Sequence, residues 1–322
     1  MSGKQQFDQE IAALDALRQA PEETRADPLR KALAHRNNFI SGKAAELIRE
    51  FNLRELVPEL LQALDRFFEN PEKSDPQCWA KNAISRALAA LEVQEAEVFL
   101  RGMRHIQLEP VWGGRSDTAG TLRATCALAL VQCQSLANDD VLRHLIDLIS
   151  DKDKAVRAEV VRAIEQLGSP AASLLLRLRA MIGDDDPEVL GGCYSGILHL
   201  EGVSAIPWVA QFLATAGDSA AEAALAIAGT HSPEAFATLH YQLEGAADPW
   251  FRSVLLSAIA LTRQDAATEF LLGLVKNESA DAERGIEALV RAIPSSATMK
   301  QLEEAAASNP RLVRALAALT TP

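Results

Sequence analysis

The sequence predicts an all-α fold: an α-α superhelix, or solenoid, of about nine stacked helical hairpins behind an N-terminal capping helix. Three observations carry this prediction. Apolar residues recur at helical spacing. The clearest case is residues 151–168, where Val156, Val160, Val161, Ile164 and Leu167 form one stripe with charges opposite. The stripe also repeats along the chain. Lys43, Lys81, Arg123, Arg157, Leu190, Glu222, Arg252, Glu283 and Val313 fall at equivalent positions, with steps of 38, 42, 34, 33, 32, 30, 31 and 30. Finally, proline and glycine fall between the stripes, where helices must start and stop.

Taken in order, Phe7, Ile11, Leu14 and Leu17 share one face of a helix over 7–18, which Pro21 and the polar run PEETRAD end. This segment has no repeat signature and reads as a cap, residues 1–26, covering the apolar end of the array. Residues 27–322 then read as one continuous solenoid, each repeat a helix A, a turn and a helix B. B helices are expected at 38–50, 77–91, 119–134, 153–167, 187–200 and 218–229, with A helices at 54–68, 94–108, 138–150, 170–182 and 203–215. Further pairs carry the pattern to Leu319. Asp27-Pro28, Asp75-Pro76, Ser169-Pro170, Asp186-Pro187, Ser232-Pro233, Asp248-Pro249 and Asn309-Pro310 each set an N-cap acceptor before a proline suited to the first helical turn. Gly168, Gly183, Gly202, Gly217 and Gly245 stand where helices should close.

Composition bounds the chemistry. The chain is 48% hydrophobic and 5% aromatic, which suits close helix packing through Ala and Leu. The net charge is -12; residues 1–135 carry 17 basic against 19 acidic groups (net -2), and 136–322 carry 15 against 25 (net -10). Such a molecule repels phosphate backbones and acidic lipid, so neither nucleic acid nor membrane is an expected partner. Cys126 and Cys133 lie two turns apart on one expected helix, roughly 10 Å by the helical rise, too far to bridge. The cysteines read as small buried hydrophobes. No apolar signal core opens the sequence and no run resembles a membrane span, so a cytoplasmic location is expected.

The phased hairpins resemble HEAT repeats, in particular the short bacterial repeats of the phycobilin lyase HEAT-like group. The matching features are prolines in the first turns of A helices (Pro58, Pro207) and the V-R-x-x-A-like start of helix B at Val156, Arg157, Ala158 and Val160. Six residues before the aligned position stand Asn37, Asp75, Asp117, Asp151 and Asp184. This is similar to the Asp and Arg ladder that links neighbouring repeats in that family. The resemblance implies a structural ladder of Asp75, Lys81, Asp117, Arg123, Asp151 and Arg157, weakening toward the C-terminus where Glu222, Glu283 and Val313 replace the basic residue.

Three features could carry function. The insertion EPVWGGRSDTAG at 109–120 lengthens one repeat and sets Trp112, Arg115 and Asp117 on a glycine-rich, mobile turn; insertions of this kind collect on one rim and often touch partners. A packing reading competes, with Trp112 tucked onto a helix and Ser116 or Asp117 capping the next one. The basic residues of the B helices, Lys43, Arg86, Arg162 and Arg291 with the ladder, could grip an acidic partner. Between Arg179 and Arg252 there is no Lys or Arg but ten acidic residues, among them Asp185 and Glu188, a patch suited to a basic partner or simply to helix caps.

Signatures of metalloprotease, serine hydrolase, nucleotide-binding loop and dinucleotide fold are absent, and the six histidines are scattered. The expectation is a non-enzymatic protein-binding scaffold with no cofactor and no metal. Two alternatives follow from resemblance: an accessory subunit of a lyase or other modifying enzyme, and, from the HEAT-like alkylpurine glycosylases, a nucleic-acid enzyme that the charge opposes.

Overall fold

A computed structural model describes residues 3–320. The chain divides into two compact units, parted after Leu167.

In the first unit, α1 (Gly3–Ala16) precedes the hairpins. These are α2 (Ala26–Leu33) with α3 (Asn38–Phe51), α4 (Val57–Phe68) and a short α5 (Pro71–Ser74) with α6 (Trp79–Ala90), α7 (Ala96–Met103) with α8 (Gly120–Leu130), and α9 (Asn138–Ile146) with α10 (Lys154–Gln166). Between α7 and α8 lie two strands, β1 (Leu108–Val111) and β2 (Gly114–Asp117). The B helices α3, α6, α8 and α10 pack in sequence order, and A helices lie against them as a second layer. The apolar stripes meet between the layers: Val156, Val160, Val161, Ile164 and Leu167 are all buried as expected. Each such side chain contributes about 1.5–3 kcal/mol when fully withdrawn from water. The capping helix buries Leu14 and packs on α3; Leu17, in the 3-10 turn that follows, is buried too.

The second unit repeats the plan: α11 (Pro170–Ile182) with α12 (Pro187–Glu201), α13 (Ile206–Ala210) with α14 (Asp218–Ala228), α15 (Pro233–Gly245) with α16 (Pro249–Leu261), α17 (Asp265–Lys276) with α18 (Ala282–Arg291), and α19 (Ser296–Ala306) with α20 (Pro310–Thr320). Here α12, α14, α16, α18 and α20 form the B layer. The stretch Pro187–Thr215 is long and apolar enough by composition to cross a membrane, which the run-length reading of the sequence had not expected. It is not one rod. Gly202, at φ 71°, breaks it after α12, and the buried Val189, Cys193, Tyr194 and Ile197 make α12 a core helix packed on α14.

Punctuation works largely as the sequence implies. Ser169, Asp186, Ser232 and Asp248 accept backbone N–H groups at the starts of α11, α12, α15 and α16, each with proline in the first turn. Two pairs differ. Asp27 lies inside the first turn of α2 and pairs with Arg30, while Asp75 reaches past a left-handed turn at Gln77 and Cys78 (φ 60° and 51°) to the amides of Ala80 and Lys81. Gly168, Gly183 and Gly202 adopt the positive φ of helix-closing glycines. Gly217 instead precedes α14, because Ala216 takes the left-handed turn at φ 50°, and Gly245 remains within α15. The helix expected over 203–215 is interrupted, with 3-10 turns on both sides of α13.

Helices α7 and α8 pack closely at Gly102. A Cβ there would overlap the Sγ of Cys126 and stand 3.2 Å from its Cβ. Gly102→Ala is therefore expected to destabilise the first unit by about 1–3 kcal/mol, against the usual helix preference for alanine. The Gly102→Ala/Cys126→Ala double variant should recover part of the loss in urea titrations, and a single variant as stable as the wild type would refute the close contact. All four cysteines are buried and free. Burial pushes Cys78 up to about 11 and Cys126 and Cys193 up to about 12, so these thiols are inert at neutral pH.

Candidate interaction site

The insertion is an antiparallel hairpin, with Leu108 opposite Asp117, Glu109 opposite Ser116, Pro110 opposite Arg115 and Val111 opposite Gly114. Trp112 and Gly113 form its two-residue tip, and Gly113 takes φ 89°, which L side chains resist. The sequence suggested a mobile turn. The structure shows one tied into the polar interior, for an identifiable reason: its base supplies hydrogen-bonding side chains to the preceding repeat and to the start of α8.

Toward the preceding repeat, the Glu109 carboxylate accepts from the Gln77 amide (2.6 Å), Gln107 Nε2 (2.5 Å) and Thr118 Oγ1 (2.9 Å). Burial alone would raise its pKa, but these three donors together hold it below the usual carboxylate range. Buried Gln107 also donates to the Asp75 carbonyl at 2.9 Å and accepts from Cys78 Sγ at 3.2 Å. Arg115 reaches Glu72 of α5 at 2.7 Å and also donates to the Leu108 carbonyl. Asp117 turns toward α8 of its own repeat. Its Oδ1 accepts from the Gln107 and Ala119 amides at 3.0 Å each, and its Oδ2 from Arg123 Nη1 at 2.6 Å. Asp117 is thus used as a ladder member, while its bond to the Ala119 amide lies just before α8 and does not cap the helix. The competing packing reading of Trp112 is overturned: its side chain is fully exposed, at 103%.

The ladder beneath the hairpin differs in detail from the pairs read off the sequence. Asp75 and Lys81 form a fully buried pair, Nζ to Oδ2 3.0 Å. Asn38 of the previous repeat donates to Asp75 at 2.9 Å. Arg123 grips Asp151 of the next repeat through Nε (2.8 Å) and Nη2 (3.0 Å) while holding Asp117, so it spans two turns. Arg157 Nη1 donates to the backbone carbonyls of Asp151 and Lys152. Lys43 pairs with Asp15 of the capping helix at 3.0 Å instead of with the Asn37 turn, because Asn37 is committed to capping α3. Toward the C-terminus the sequence reading expected the ladder to weaken, but Arg252 bonds Asp281 (Nε to Oδ2 3.1 Å) and the carbonyls of Leu243 and Ala246. Asp281 sits two residues before the aligned position Glu283 instead of six, outside the spacing that marks the ladder in the earlier repeats.

Beside the hairpin a groove of about 590 Å³ opens between the end of α7, β1 and the end of α9. Leu100, Met103, Ile106, Leu108 and Leu148 give it an apolar lining, and Arg123 with Asp117 and Asp151 closes one side. Ile106 and Leu108 in this lining are substantially exposed, as is Val111 nearer the hairpin tip.

Asp185 and Glu188 lie in the second unit, Asp185 on the turn before α12 and Glu188 in the first turn of that helix, and both are exposed. Around them, Asp184 pairs with Arg179 and Asp186 caps α12 through the Glu188 amide. Glu222, where the ladder would place a basic residue, is pushed up in pKa by burial first and then by Glu188, Asp186 and Asp218. A raised carboxylate pKa stabilises the fold while the group is protonated, and that contribution is lost as pH rises from about 4.3, the unfolded value, through the folded one. Glu222→Gln should therefore raise the melting temperature of the second unit at pH 7 by about 1–2 °C, allowing for solvent screening, and leave it unchanged near pH 4. Thermal melts at both pH values check the sign. Among the described residues, no group of three or more His, Cys, Asp or Glu is arranged to hold a metal ion.

The family model for HEAT repeats matches residues 114–190 and 142–228. No curated protein matches the sequence. Among solved structures, the complex of CpcE and CpcF of phycocyanin lyase from Nostoc sp. PCC7120 is similar at 17% identity and TM-score 0.37, covering 76% of this chain and 91% of that one. Human deoxyhypusine hydroxylase, solved in complex with glycerol, is similar at 15% identity and TM-score 0.30, covering 81% of this chain and 99% of that one. Residues 114–228 thus carry HEAT repeats, within an all-α chain whose A and B helices pair in each of its two compact units.

Proposed function

We propose that the protein is a non-enzymatic cytoplasmic scaffold that captures another protein on the hairpin and adjoining groove of its first unit. One observation carries the reading: Trp112 stands fully exposed at the tip of a hairpin fastened to the turns before and after it. A tryptophan on a fastened hairpin gives up only side-chain freedom on binding, and such residues dominate interface energies. The groove supplies the surrounding apolar surface that excludes water from such a contact. The net charge of -12 favours a partner with a basic surface.

The test is capture from the source organism's lysate with the wild type and with a Trp112→Ala/Arg115→Ala variant. Both side chains are exposed, so the variant should melt within about 0.5 kcal/mol of the wild type. Loss of a hot-spot tryptophan costs at least about 2 kcal/mol, so capture should fall roughly 30-fold. Equal recovery of the same partner by both proteins would remove the hairpin from the interface.

A further inference from the structure

A second surface of the first unit has chemistry that the hairpin does not explain. Phe39 of α3 and Trp79 of α6 stack with ring centroids 4.3 Å apart and planes 15° from parallel, while Phe7 of α1 meets Phe39 edge-on at 6.4 Å. Gly42 makes the stack possible, since a Cβ there would stand 3.1 Å from Trp79 Cδ1. Although the two rings cover one another, Phe39 and Trp79 remain 45% and 42% exposed.

Beside them is a hollow of about 250 Å³, with Phe7, Ile11, Phe39 and Trp79 as its apolar walls and Lys43 and Glu46 on its polar side. Ligand pockets for drug-sized molecules begin at about 300 Å³, so this hollow suits one or two apolar side chains. Lys43 is already neutralised by Asp15.

Along α6, Asn82 and Arg86 follow Trp79 on the same helical face. Asn82 is partly buried, and its Oδ1 is buried without a hydrogen-bond partner among the described residues. Arg86 is exposed and makes no ion pair among them. The helical rise puts Arg86 about 10 Å from Trp79 along the axis. A peptide in the extended polyproline II conformation covers that distance in about three residues and brings every third side chain back to the same face.

We propose that this strip binds an extended peptide segment of a partner protein, with an apolar side chain in the hollow and, about three residues on, a carboxylate on Arg86. The guanidinium offers a carboxylate two parallel N–H donors. Asn82, by turning its amide outward, offers an acceptor to a peptide N–H. A polyanionic nucleic acid fits less well, because Glu46 and Asp15 stand beside the hollow and residues 1–135 already carry a net charge of -2. No hairpin residue takes part, so this site and the hairpin interface stand or fall separately.

Phage display of a random nine-residue library on the full chain tests the proposal. The wild type and the Trp112→Ala/Arg115→Ala variant should both enrich an apolar residue followed three positions later by Asp or Glu. Arg86→Glu, a change on an exposed side chain, should replace that acid with Lys or Arg. In fluorescence polarisation with a synthetic peptide of the enriched sequence, Asp→Asn should weaken binding at least ~10-fold. The proposal is overturned if the wild type enriches no such spacing, or if Arg86→Glu selects the same acidic motif. Retention of a single-stranded oligonucleotide by the wild type in preference to every selected peptide would overturn it in favour of a polyanion.

Discussion

Asp75→Ala is expected to cost the first unit about 3–5 kcal/mol, the range for breaking one side of a buried ion pair. The reasons are local. The Asp75 carboxylate has no solvent exposure and accepts from the amides of Ala80 (2.8 Å) and Lys81 (2.9 Å), from Asn38 (2.9 Å) and from the Lys81 ammonium. Its removal strips the start of α6 of its cap and leaves Lys81 buried with the Phe67 carbonyl at 3.2 Å as its remaining hydrogen-bond acceptor. Replacing both partners removes the stranded charge, so Asp75→Ala/Lys81→Met should cost less than Asp75→Ala alone. Guanidinium titration of the three variants gives the comparison. If the Asp75 variant lost under about 1 kcal/mol, the pair would not be the anchor that its burial indicates.

Arg123→Ala should cost about 3–4 kcal/mol, since it leaves two carboxylates from consecutive repeats without their shared cation. Arg123 is almost wholly buried, binds Asp151 through two nitrogens and Asp117 through a third, and also donates to the His105 carbonyl at 3.0 Å. Arg123→Lys keeps the charge but not the fork, and should recover less than half of the loss. The pH dependence separates this from a packing defect. Burial is the largest single influence on Asp117 and raises its pKa, but the Ala119 and Gln107 amides and Arg123 together outweigh it and hold the pKa below the usual value. Stability from a depressed carboxylate is present above about pH 4 and lost as pH falls through the folded pKa. The gap between wild type and Arg123→Ala should therefore be widest above pH 5 and narrow toward pH 3; a gap constant with pH would mean that the loss is steric.

Much of the fold was legible because its signals are local. The period of Val156, Val160, Val161 and Ile164, the caps at Ser169, Asp186, Ser232 and Asp248, and the spacing of the B helices each depend on residues a few positions apart. Trp112, Arg115 and Asp117 stood out as candidates because the insertion breaks that spacing. The errors lie where a residue's partner is distant in sequence. Asn37 caps its own helix, so Lys43 turns to Asp15; Asp151 serves Arg123 of the preceding repeat; and Arg252 finds Asp281 at an offset the repeat alignment did not suggest.

The sequence by itself determined the all-α repeat architecture, the order and phase of its helices, and the one place where the repeat is interrupted, because backbone propensity, apolar period and capping act within a turn or two of helix. Only the tertiary structure decided that the interruption is a hairpin fastened through Glu109, Gln107 and Asp117, with Trp112 in solvent at its tip and a groove at its side. It likewise decided that Phe39 lies on Trp79 across forty residues. Buried polar groups must find partners wherever the packed layers bring them, and that requirement is met in space and not along the chain.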